Sequence, residues 1–179
     1  MAWQIDSTHS QVTFSVKHMM VSTVKGTFNV FSGEVEIDEQ HPENSWVVAE
    51  VDAASINTRD ARRDGHLRSP DFFDVEQYPK ITFKSTKVEA LGDNEYRVTG
   101  NLSMHGVTKE VTFNVEYSGQ VRDAYGMQRV GLDAKATISR KDFGLNWNTL
   151  LESGGVAVSD KVTIELDLAA VKQAVAQAV

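Results

Sequence analysis

Apolar side chains in this sequence recur at every second position, stretch after stretch, and that period constrains the fold more than any other feature. Val12, Phe14, Val16 and His18 alternate with Thr13, Ser15 and Lys17. Gly26, Phe28 and Val30 follow, and then Phe31, Gly33, Val35 and Ile37 carry the pattern in the opposite parity. Val47, Ala49 and Val51 alternate next, then Ile81 and Phe83, then Tyr96, Val98, Gly100, Leu102 and Met104. Val111 to Tyr117, Val130 to Ile138 and Val162 to Leu168 complete the series. A period of two places each set on one face of a half-buried strand. About eight strands, separated by turn-rich segments at 39–45, 92–94, 118–128 and 148–160, predict an all-β antiparallel sheet curled into a barrel or a sandwich. The parity switch between Val30 and Phe31 predicts a bulge or bend there.

Composition removes several alternatives. The longest apolar runs are four residues, Trp46–Ala49 and Leu168–Val171. A membrane span needs about 20 and a signal-peptide core about 7, so neither is expected. The first cation is Lys17, which leaves no charged leader. These features, with no cysteine in the chain, lead to the expectation of a cytoplasmic protein without disulfides or thiolate chemistry. The 18 Lys+Arg against 25 Asp+Glu give a net charge of −7, which disfavours a nucleic-acid partner. No composition shift divides the 179 residues, so a single domain over 1–179 is expected.

Two segments break the strand pattern. Residues 57–79 form a long connection with a short polar helix expected over about 59–69, the position of a lid or binding loop. On it, Arg59 and Arg63, and Asp60 and Asp64, stand four apart, either as a salt-bridged face or with one arginine turned to a ligand head. At the C-terminus, Val171, Ala174, Val175, Ala178 and Val179 have helical spacing and predict a short amphipathic helix over 169–179.

Catalytic motifs are few. There is no nucleophile elbow, zinc-protease motif or P-loop, and Ser153-Gly154-Gly155 reads as a turn. No local spacing gathers metal ligands, so no metal is expected. His18 shares the inward face of its strand and His66 lies two residues after Asp64. Each is either a structural histidine or a polar contact at a cavity mouth, and His66 with Asp64 is a candidate acid/base pair. The aromatic rings on inward faces either fill the barrel or line it. Strands of about 9 to 13 residues at ~3.3 Å each make an elongated barrel, whose tunnel, if hollow, suits a long chain.

Several segments together resemble the YceI-like family. They are Asp6-Ser7-Thr8-His9-Ser10 with Val12–Met19, Gly26-Thr27-Phe28, Phe31-Ser32-Gly33 and Ser55-Ile56-Asn57-Thr58. The longest stretch is Arg63–Ser69, Asp71-Phe72-Phe73-Asp74 and Tyr78–Thr86, followed by Gly100–Lys109 and Arg140-Lys141-Asp142-Phe143-Gly144-Leu145. The resemblance implies an extended eight-stranded antiparallel lipocalin-like β-barrel, often paired as a homodimer. Its apolar cavity would hold a polyisoprenoid, an isoprenoid quinone or another long-chain amphiphilic lipid, with no cofactor besides that ligand. His18, Arg63, Asp64, His66, Leu67, Phe72 and Phe73 fall on signature positions. The tail is expected among Phe14, Val16, Phe28, Phe31, Ile81, Phe83, Leu102 and Met104. His18, Arg63, His66, Leu67, Phe72 and Phe73 are expected at the head. Carriage or sequestration is the leading function. A lipid-ester hydrolase using His66 and Asp64, and a ligand-free stress-related interaction barrel, are the alternatives.

Overall fold

The computed structural model describes residues 2–148 and 157–172. In chain order the strands are β1 (Trp3–Ile5), β2 (Gln11–His18), β3 (Ser22–Phe28), β4 (Phe31–Glu36), β5 (Trp46–Asp52) and β6 (Ile56–Asn57). They continue as β7 (Lys80–Gly92), β8 (Glu95–Met104), β9 (Val107–Arg122), β10 (Gln128–Ser139) and β11 (Val158–Lys172). One helix, α1 (Ala61–Arg68), lies between β6 and β7. All pairings are antiparallel.

The short strands are halves of broken long ones, and counting them so gives eight. β1 and β2 both lie along β11, with Ile5 opposite Ala170 and Gln11 opposite Asp167. β3 pairs with β2 and β4 with β1, and β5 and β6 in turn pair with β4 and β3 as halves of a third broken strand. The β3–β4 break falls at Asn29–Val30, where the parity switches, and it turns Val30 outward to 56% exposure. From β4 the sheet runs through β5, β7, β8, β9 and β10 to β11, and the β1–β11 pairing closes the ring. The fold is therefore a closed eight-stranded barrel, and closure removes the open sheet edges that would otherwise invite aggregation.

The β1–β2 break is held by polar contacts from the Asp6–Ser10 motif. Asp6 N–H donates to the Ala169 carbonyl at 2.8 Å, while Ala169 N–H donates to Ser10 Oγ at 2.9 Å. The Asp6 carboxylate accepts from Thr8 N–H and Oγ1 at 3.1 and 2.7 Å, and His9 Nδ1 lies 2.8 Å away. Arg129 Nη1 donates to it from β10 at 2.9 Å, and Arg129 Nε reaches Asp123. The Thr8 hydroxyl first, then Arg129 and His9, hold the Asp6 carboxyl far below the usual carboxylate range.

The C-terminal expectation needs correction. Ala169–Lys172 extend β11 instead of starting a helix, with Ala170 opposite both Val130 and Ile5 and fully buried. Partners on both sides satisfy the backbone there, which outweighs the weak helical spacing. Residues 173–179, and the Ser153-Gly154-Gly155 turn, lie outside the described residues.

The lid helix is shorter than expected. Asp60 is its N-cap, accepting from Arg62 and Arg63 N–H at 3.1 Å, and Arg59 precedes it at φ 66°. Asp64 is buried and accepts from Thr58 N–H at 2.9 Å and Thr58 Oγ1 at 2.5 Å. Arg63 donates to Thr58 Oγ1 and to its carbonyl, both at 2.8 Å. Neither lateral pair of like side chains therefore makes a salt-bridged face; the acids are used for capping and for anchoring the helix to Thr58, the residue after β6. Behind the helix, Phe73 packs edge-on against Phe28 at 5.9 Å, and Phe28 against Phe14 at 5.6 Å.

Two outcomes follow for stability. Asp6→Asn should cost about 1–2 kcal/mol at neutral pH in chemical denaturation. Because the native Asp6 pKa is lowered, its contribution is present above the unfolded value of ~3.9 and lost as pH falls below it. The gap between wild type and variant should therefore close in acid; a gap that persists would contradict the network. Asp64→Ala should cost about 2 kcal/mol by stranding the Thr58 donors, whereas His66→Ala should cost about 1 kcal/mol or less. Equal losses would contradict the anchoring role of Asp64.

Candidate ligand cavity

The inward faces of the strands enclose a cavity of about 300 Å³, at the small end of the range for ligand sites. Its wall follows β11 from Val158 to Leu168, roughly 33 Å of strand, or about 25 Å along the axis of a barrel with tilted strands. The shape is long and narrow, suited to a single chain. The interior is thus hollow as well as packed. One buried cluster, including Ile56, Ile81, Phe113 and Phe143, lies toward the lid, and another around Trp3, Val35, Tyr117 and Ala170 lies at the far end.

Eleven of the expected residues line this wall. They are Phe14, Val16, Phe28, Phe31, Leu67, Phe72, Phe73, Ile81, Phe83, Leu102 and Met104. The alternation that put them on inward faces also brings Val115, Leu132, Ala134, Ile164 and Leu166 to the same surface. Gly26 makes room for the Phe14 ring: a Cβ there would collide with that ring, its cross-strand partner.

His18, Arg63 and His66 do not line the cavity. His18 sits opposite Ser22 and Val158 near the β2–β3 hairpin tip, beyond Val16, where β2 leaves the wall. Arg63 is committed to Thr58. His66 turns its Nε2 to Asp71 at 2.8 Å, and its ring meets Phe72 at 5.1 Å and Trp147 at 4.8 Å. The His66–Asp64 pair is therefore not assembled, because Asp64 faces Thr58 inside the lid while His66 faces Asp71 on its outer side. Among the described residues no cluster of His, Asp and Glu has the makings of a metal site. Nor is any helix among them long and apolar enough to cross a membrane.

The charged groups on the wall stand at its two ends. At the lid end is Arg140, only 3% exposed. Its Nε donates to the Ser159 carbonyl at 2.9 Å, Nη1 to those of Leu145 and Trp147 at 2.5 and 3.0 Å, and Nη2 to that of Val158 at 3.1 Å. Burial pulls its pKa down, with the nearby Asp160 charge opposing the shift. At the far end are Glu36 and Asp38, with Tyr117. The Tyr117 hydroxyl donates to Glu39 at 2.6 Å, and burial together with that carboxylate pushes its pKa up to about 12. Arg140 was missed as a site residue, although the sequence carries its signal: it continues the inward parity of Val130, Leu132, Ala134, Ala136 and Ile138.

Comparison with known proteins agrees with this architecture. A UPF0312 protein of Staphylococcus aureus (strain N315) is 39% identical over 161 residues, covering 89% of this chain and 91% of the relative. The crystal structure of Burkholderia cenocepacia BcnA superposes with a TM-score of 0.81 at 27% identity, covering 92% of this chain and 98% of that one. A polyisoprenoid binding domain from Saccharophagus degradans shares the fold, with a TM-score of 0.67 at 21% identity over 94% of this chain and 97% of that one. The YceI-like domain matches residues 3–170, nearly the whole of the barrel, and the chain belongs to that family.

Proposed function

We propose that the protein binds one polyisoprenoid or other long-chain amphiphilic lipid inside the barrel and carries or sequesters it. The observation that carries this reading is the narrow cavity running through the barrel, walled by Phe, Leu, Ile and Val side chains. The name given to the Saccharophagus degradans domain, polyisoprenoid binding, supports the same ligand class. Burying a chain there contributes roughly 25 cal/mol per Å² of apolar surface, so the tail dominates affinity. An isoprenoid quinone is one candidate, and no cofactor is proposed besides the lipid. Binding without catalysis is favoured because the one candidate acid/base pair, Asp64 and His66, is held apart by separate partners. A cytoplasmic location and pairing into a homodimer complete the proposal; sedimentation velocity reads the pairing.

Native mass spectrometry of freshly purified protein, followed by organic extraction, should find one lipid per chain. Ala134→Phe places a ring on the cavity wall and should reduce bound lipid at least tenfold while cooperative unfolding is retained. Absence of any lipid, together with failure to take up a fluorescent apolar probe, would overturn the reading.

A further inference from the structure

The lid end of the cavity holds a buried cation that makes no ion pair among the described residues. Arg140 is buried, and its hydrogen bonds run to four carbonyl oxygens of Leu145, Trp147, Val158 and Ser159. No carboxylate of the described residues lies within ion-pair distance of it. Asp160, the acid whose charge it feels, accepts instead from Ser139 Oγ at 2.6 Å and Lys141 N–H at 3.2 Å. A guanidinium offers five N–H donors, and hydrogen bonds among the described residues use four of Arg140's. A buried ion without a counter-ion is costly, and carbonyl dipoles offset that cost only in part.

At the other end the charged side chains on the wall are acidic. Glu36 and Asp38 line the wall there, and Glu39 accepts from Tyr117. Between the ends the wall carries no charged side chain, and among the described residues Arg140 is its only cation. An anionic head is therefore attracted to the lid end, beneath Leu67 and Phe72.

We propose that Arg140, lining the lid end of the apolar cavity with no carboxylate partner among the described residues, selects a single-chain amphiphile with an anionic oxygen head, carboxylate or phosphate. The inference rests on the lipid-binding reading above and narrows it, favouring a charged head over the neutral head of a quinone. Arg140 keeps its structural role: its carbonyl contacts tie the segment after β10 to the start of β11.

The test compares three ligands with the same chain: palmitic acid, hexadecyl phosphate and hexadecanol, titrated into delipidated protein at neutral pH. At least one anion should bind about tenfold or more tightly than the alcohol, the range of a charge-assisted hydrogen bond. The tighter anion identifies the head as carboxylate or phosphate. In ¹⁵N-arginine-labelled wild type, the Arg140 side-chain resonance should shift with that anion and stay in place with the alcohol. This readout does not depend on an Arg140 variant folding. Where Arg140→Met folds, the preference should vanish. Equal binding of all three ligands, or an anion preference without an Arg140 shift, would overturn the role of Arg140 and leave the lipid reading intact. Binding of none would overturn both.

Discussion

The pairing of β11 with two successive segments of one broken strand is the constraint on which this barrel depends. β1 and β2 occupy different lengths of the same β11 edge, and a ring of eight strands closes only because both fit. The Asp6–Ser10 segment makes that possible by exchanging backbone and side-chain hydrogen bonds with Ala169 where the ladder is interrupted. A break of this kind leaves backbone groups that must find partners elsewhere. Asp6 supplies them, and Arg129 ties the result to β10.

Closure explains why the interior can be hollow. In a closed ring each strand is held by neighbours on both sides, so wall stability comes from the ladder and from the buried clusters at either end. The middle is then free of the demand for complete packing. Phe14, Phe28 and Phe73 form a cluster of tilted and edge-on rings beneath the lid, while Phe83 meets Phe113 edge-on at 5.2 Å across the wall. The remaining space is narrow enough to hold a chain on all sides, which is the condition for burying most of an apolar tail.

Much of this was legible in the sequence because a period of two has one structural meaning. The inward parity of Val130 to Ile138 and Val162 to Leu168 is reproduced in the β10–β11 register, Ala134 opposite Leu166 and Ala136 opposite Ile164. The break at Val30 was visible as a change of parity. Features depending on tertiary partners were not. Helical spacing at 169–172 lost to strand pairing on both sides, which no local pattern records. Asp64 and His66 are neighbours in sequence, yet the helix sends them to opposite sides, one to Thr58 and the other to Asp71. Arg140 obeys the inward alternation, but a charged residue at the end of an apolar series reads as a strand terminus unless its buried partners are known.

The central claim is that a lipid chain lies inside the barrel and not in a groove on its surface. Paramagnetic broadening by a spin-labelled fatty acid tests it most directly. Titrated into methyl-labelled protein, the probe should broaden the inward-facing methyls of Leu132, Ala134 and Leu166 while leaving the exposed Thr137 methyl sharp. Broadening of Thr137 with the inward methyls unaffected would contradict the account.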